Sequence, residues 1–135
     1  MKNLKRLLTL SLLLITIMAC SSDDSSTTED NQANIIGTWK LSSSSTNGVV
    51  DSLDACDLQT TLEIASSQID ITEYWGDNCV ESDTYSISYT VSGKNLTISE
   101  SGFSYTSEIT TLTSTTLSIK DVDEGDVYIE TYTRK

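Results

Sequence analysis

Beyond Thr60 the apolar residues of this chain return at every second position. Leu62 is followed in this phase by Ile64, Ile69 by Ile71, Leu96 by Ile98, Phe103 by Tyr105 and Leu117 by Ile119. Tyr85, Ile87, Tyr89 and Val91 make the longest run, and Tyr128 and Tyr132 flank Glu130 in the same phase. Serine and threonine fill most alternate positions. A period of two sends successive side chains to opposite faces, so these runs read as strands with one apolar and one wet face. Turn-forming clusters separate them, among them Thr46-Asn47-Gly48, Gly76-Asp77-Asn78, Ser92-Gly93-Lys94-Asn95 and Asp123-Glu124-Gly125-Asp126. No segment carries a convincing 3.6-residue apolar period, and Val50–Asp57 is the best helical candidate. The fold class is therefore all-β, an antiparallel up-and-down meander of about eight strands joined by short turns. A meander this long must hide its edges. Closing into a barrel does so completely, and a flattened two-sheet sandwich is the alternative.

The first 34 residues follow a different pattern. Lys2, Lys5 and Arg6 precede a run from Leu7 to Met18 that is apolar except for Thr9, Ser11 and Thr16, and Ala19 then stands directly before Cys20. A basic start, a short apolar stretch and a small residue at the cut make a secretory signal. The stretch falls short of the ~20 apolar residues that span a bilayer. The Ala19-Cys20 junction resembles the lipobox of bacterial lipoproteins, in which the signal is cut before the cysteine and the thiol carries diacylglycerol. That resemblance implies a signal peptide over residues 1–19, with Cys20 as the acylated (palmitate-bearing) anchor of an outer membrane lipoprotein. The next stretch, SSDDSSTTEDNQAN, has a single small apolar residue and cannot bury enough surface to order itself, so residues 20–34 read as the lipidated cysteine and an acidic flexible tether. Asp23 and Asp24 resemble the export signal of surface-displayed lipoproteins in some Gram-negative bacteria. Acids also simply solubilise a linker, which leaves both periplasmic and cell-surface locations open.

Charge narrows the partners. Losing Lys2, Lys5 and Arg6 with the signal leaves 5 basic residues against all 20 acidic ones, a net charge of −15. Such a surface repels phosphate backbones, which excludes nucleic acid, and it keeps the folded domain off an anionic bilayer. The membrane is thus a partner only through the lipid. Nothing in the pattern asks for a second copy, and a monomer is expected.

Residues 35–135 make one small domain. It opens with Ile35-Ile36-Gly37-Thr38-Trp39-Lys40-Leu41, which resembles the Gly-x-Trp first strand of the lipocalins and their relatives. The whole chain is similar to the small lipocalin-like lipoproteins of Gram-negative bacteria: lipobox, polar tether, Gly-Thr-Trp, two cysteines, and hairpins ending in Thr111-Leu112-Thr113-Ser114-Thr115-Thr116-Leu117. The resemblance implies a lipocalin-like barrel in which Gly37 and Trp39 close the floor and a basic residue of the last strand, Arg134, lies over the indole. The chain is much shorter than full-length lipocalins, which leaves less interior for a ligand.

Cys56 and Cys79 remain once Cys20 is assigned to lipid. Two cysteines in an oxidising compartment pair, whereas a reactive or metal-binding thiolate would want a basic or histidine neighbour; the nearest charges are Asp54, Asp57, Asp77 and Glu81. The sequence contains no histidine, so the usual base for a serine or cysteine nucleophile is missing and no catalytic residues are assigned. The Asp121–Asp126 cluster departs from a calcium loop in glycine position and in its twelfth residue, Tyr132, so it reads as an acidic hairpin turn without metal. No cofactor is implied. Two functions remain. A small apolar or amphipathic ligand could sit in the mouth among Tyr74, Trp75, Tyr85, Tyr89, Phe103 and Tyr105. Alternatively, the barrel is a displayed module that contacts a protein or glycan and packs its own interior, since eight strands enclose barely more than their own side chains.

Overall fold

The structure, a computed structural model, describes residues 28–135. The residues expected to form the signal (1–19), the expected lipidation site Cys20 and the expected tether as far as residue 27 lie outside the described residues. Among the described residues one α-helix, α1 (Thr28–Ile35), precedes nine strands. These are β1 (Gly37–Thr46), β2 (Val49–Val50), β3 (Thr61–Ile64), β4 (Gln68–Trp75), β5 (Glu81–Ser92), β6 (Asn95–Glu100), β7 (Phe103–Leu112), β8 (Thr116–Asp123) and β9 (Asp126–Arg134). From β3 to β9 each strand pairs antiparallel with the next, and β1 pairs with both β3 and β9. Eight strands thus close into a barrel in chain order, as the alternation predicts. The ninth, β2, is a two-residue return against the far end of β1, through the Asn47-Gly48 turn. Both turn residues take positive φ, 52° and 79°, which matches the right-handed twist of the flanking strands.

The alternation decides the faces. Trp39, Leu41, Leu62, Ile64, Ile69, Ile87, Val91, Leu96, Ile98, Ile109, Leu117 and Ile119 fill one continuous core. Outside, hydroxyls pair across the strands: Thr72 with Thr84 at 2.8 Å, Thr97 with Thr106 at 3.1 Å and Ser118 with Thr131 at 3.0 Å. Ser86 and Gln68 donate to Asp70 on the same outer surface and hold its carboxyl below the usual range. Such cross-strand pairs contribute ~0.2–1 kcal/mol each.

Two expectations are corrected. The tether does not run to Asn34: Thr28–Ile35 is helical, and Asn31 and Gln32 donate to the carbonyls of Gly93 and Ser66 at 2.8 and 3.1 Å. Apolar periodicity could not reveal this helix, because among its described side chains two amides and a single buried residue, Ile35, make the docking. Val50–Asp57 is not helical either. It ends β2 and then covers the gap above the short β3, with only a 3-10 turn at Asp57–Gln59. Leu53 packs against the core from this segment.

Candidate functional site

The barrel has two unlike ends. At the floor, where β1 begins and β9 finishes, α1 lies across the opening. Ile35 and Trp39 are fully buried, and the indole N–H donates to the Ile35 carbonyl at 2.8 Å. Arg134 stands opposite Trp39 in the β1–β9 ladder, its guanidinium carbon 4.1 Å from the ring centroid. Its three nitrogens donate to the carbonyls of Ser114 (2.9 Å), Ile36 (2.9 Å) and Asn34 (2.7 Å). Gly37 has φ 141°, and a Cβ there would collide with Arg134 Nη1. Glycine is thus required for the backbone angle and for the cation beside it. Tyr89 completes the floor, donating to the Ala65 carbonyl.

At the other end the barrel is open. A cavity of about 200 Å³ runs down from the mouth to a wall of Leu62, Ile69, Ile87, Leu96, Ile98 and Ile119. Three tyrosines, Tyr85, Tyr105 and Tyr132, and three carboxylates, Glu73, Asp121 and Glu130, also line it. Tyr132 is buried and donates to Glu130 at 2.6 Å; Ser107, also buried, donates to Asp121. Burial raises the Tyr132 hydroxyl well above its ordinary pKa, and the neighbouring Glu130 carboxylate adds to the effect. Tyr85 is raised by burial and then by Glu73, Glu100 and Glu130. Tyr105 is raised by burial and then by Asp121, Glu100 and Glu130. These phenols therefore stay neutral and sit in a negative field.

Two devices shape the rim. A bulge between Leu41 and Ser43 shifts the register of β1, so that Ser44 faces Glu130 and Thr46 faces Tyr128. Ser44 and Thr46 both donate to the Asp51 carboxylate, at 2.6 and 3.3 Å. The second device is the Cys56–Cys79 disulfide, which ties the segment above β3 to the β4–β5 loop.

Of the six aromatics expected to line a ligand site, Tyr85 and Tyr105 do so. The other four do not. Tyr89 belongs to the packed floor, 3% exposed. Tyr74 is out of phase with Ile69 and Ile71 and falls on the outer face of β4. Trp75 stands beyond the rim, its indole N–H bonded to Glu81 at 2.8 Å. Phe103 has the inward phase but starts β7 at the turn, past the barrel wall, and is 80% exposed. Sequence reasoning also missed the three carboxylates and Tyr132 as lining groups. The signal was available: Glu73 is two residues past Ile71, Asp121 two past Ile119, and Glu130 lies between Tyr128 and Tyr132.

The model of the family described as lipocalin-like domain matches residues 35–119. No curated protein matches the sequence. The fold resembles the crystal structure of a lipocalin-like protein from Bacteroides uniformis, with a TM-score of 0.55 at 15% identity over 76% of this chain and 98% of that one.

Proposed function

Since this chain belongs to the lipocalin-like domain family, a generally non-enzymatic one, we propose that it binds a small apolar or amphipathic molecule in the barrel mouth. The observation that carries this reading is the contrast between a sealed floor and an open cavity of about 200 Å³ with an apolar base. Ligand sites for drug-sized molecules run ~300–1,000 Å³, so the occupant is smaller than those. The Ala19-Cys20 junction supports attachment to the outer membrane through lipid on Cys20, with the acidic segment after it as a spacer. Barrel closure supports a monomer, because among the described residues the unpaired edges are short, the two-residue β2 and Glu73–Trp75 of β4 beyond the reach of β3.

A second reading is favoured by the rim. Val49, Val50, Val80 and Phe103 are 71, 75, 78 and 80% exposed, all at the mouth end, as a surface that contacts a protein or glycan would require. Titration of the protein with octanol, followed by calorimetry, separates the two. Saturable binding of one octanol per chain is expected. If octanol and its charged analogues all fail to bind, the ligand reading is lost and the displayed module stands. Membrane attachment is tested by Cys20→Ser: the variant should lose radiolabelled palmitate and leave the membrane fraction, and unchanged labelling would contradict the anchor.

A further inference from the structure

We propose that the mouth selects an amphiphile with a cationic head, an organic ammonium carried on a short alkyl or aryl tail. The inference deepens the reading that the cavity binds a small amphiphile and rests on it.

The cavity supplies one environment for each half of such a molecule. Its base is aliphatic. Glu73, Asp121 and Glu130, each one inward step nearer the mouth than Ile71, Ile119 and Tyr132 on its own strand, line the cavity together with Tyr85, Tyr105 and Tyr132, and among the described residues none of those lining it is basic. The ladder pairs put more acid above these: Asp83 stands opposite Glu73, and Glu100 opposite Phe103, both in the inward phase. The basic residues of the domain lie elsewhere. Arg134, Lys135 and Lys94 are at the floor, Lys120 pairs with Glu108 on the outer wall, and Lys40 alternates outward from Trp39. A cleft of one charge sign between low-dielectric walls focuses the field and concentrates ions of the opposite sign. Tyrosine rings add attraction for a cation that has shed part of its water.

A metal ion fits less well. Among the described residues no group of three His, Cys, Asp or Glu side chains is close enough to hold one. Glu73 and Glu130 come from different sides of the opening, and Asp121 is engaged by Ser107. Carboxylates that surround an apolar well without converging suit a bulky, diffuse cation. The same carboxylates would repel a fatty acid head placed over the same tail.

The test uses three probes with one tail: octylammonium, octanol and octanoate, each titrated into the protein by calorimetry. Octylammonium should bind roughly tenfold more tightly than octanol, and octanoate more weakly than either. Raising the ionic strength well above ~0.15 M should erode the ammonium preference and leave octanol unchanged. In the double variant Glu73→Gln, Glu130→Gln the ratio of octylammonium to octanol affinity should fall towards one. Octanoate or octanol binding as tightly as octylammonium overturns the cation inference while the ligand reading stands. An unchanged ratio in the double variant also overturns it. Failure of all three probes overturns the ligand reading itself.

Discussion

The floor and the mouth are built from the same strands and obey opposite rules. At the floor every feature is tied to a partner: the indole to a backbone carbonyl, the guanidinium to three carbonyls and an aromatic face, the helix amides to two turns. At the mouth Tyr85 and Tyr105 are 38 and 53% exposed, and carboxylates face one another across a void. A small barrel has limited apolar area with which to offset chain entropy. Concentrating stability at one end leaves the other free to keep groups that packing alone would remove. Binding sites commonly retain such unfavourable groups, and stability comes from elsewhere in the fold.

The comparison breaks most readily at the floor. Trp39→Ala truncates a fully buried side chain and removes the surface on which Arg134 lies, so unfolding in urea should show a loss of about 3–5 kcal/mol. A loss below ~1 kcal/mol would mean the floor is not where stability sits. Reducing the Cys56–Cys79 bond comes next. The bond closes a loop of 23 residues, worth about 3 kcal/mol in the chain-entropy model, and the melting midpoint should drop by several degrees. Because this cross-link staples the rim, reduction should also weaken ligand binding in the protein that remains folded. Trp39→Ala should affect binding only through the folded fraction.

Arg134→Ala should cost about 2 kcal/mol, from a cation over an indole and hydrogen bonds to carbonyls on a partly exposed group. Gly37→Ala should displace the same guanidinium and produce a comparable loss, and the two losses should not add in the double variant. The smallest effect is alkaline. The folded state holds the Tyr132 proton above its ordinary pKa, through burial first and then Glu130, with Tyr85 and Asp121 contributing. An unfolded tyrosine ionises near pH ~10, so above that pH the unfolded state binds fewer protons and stability falls as pH rises. Tyr132→Phe should flatten this decline in a melting series above pH ~10, leaving a remainder from Tyr85, Tyr89 and Tyr105, whose pKa values are also raised.

The two ends also differ in how legible they are. Alternation marks the strands, their order and the core face, because burial of one face imposes a period of two wherever the wall is packed. Gly37, Trp39 and Arg134 are legible by another route, the resemblance of Ile35–Leu41 to the lipocalin Gly-x-Trp strand, which implies a floor closed by the indole and capped from the last strand. The mouth hides because its inward positions carry Glu73, Asp121 and Glu130, which read as wet-face residues unless the phase of Ile71, Ile119 and Tyr132 is carried through. Helix α1 hides too, since amide-to-carbonyl docking leaves no apolar stripe.

The division of labour between the ends is tested most directly by amide NMR of the protein during titration with octylammonium. Shifts should saturate and concentrate on Tyr85, Ile98, Tyr105, Ile119 and Tyr132 around the cavity, while Ile35, Gly37 and Trp39 at the floor stay in place. Saturating shifts centred on the floor or the outer face, with the cavity residues unmoved, would contradict the account.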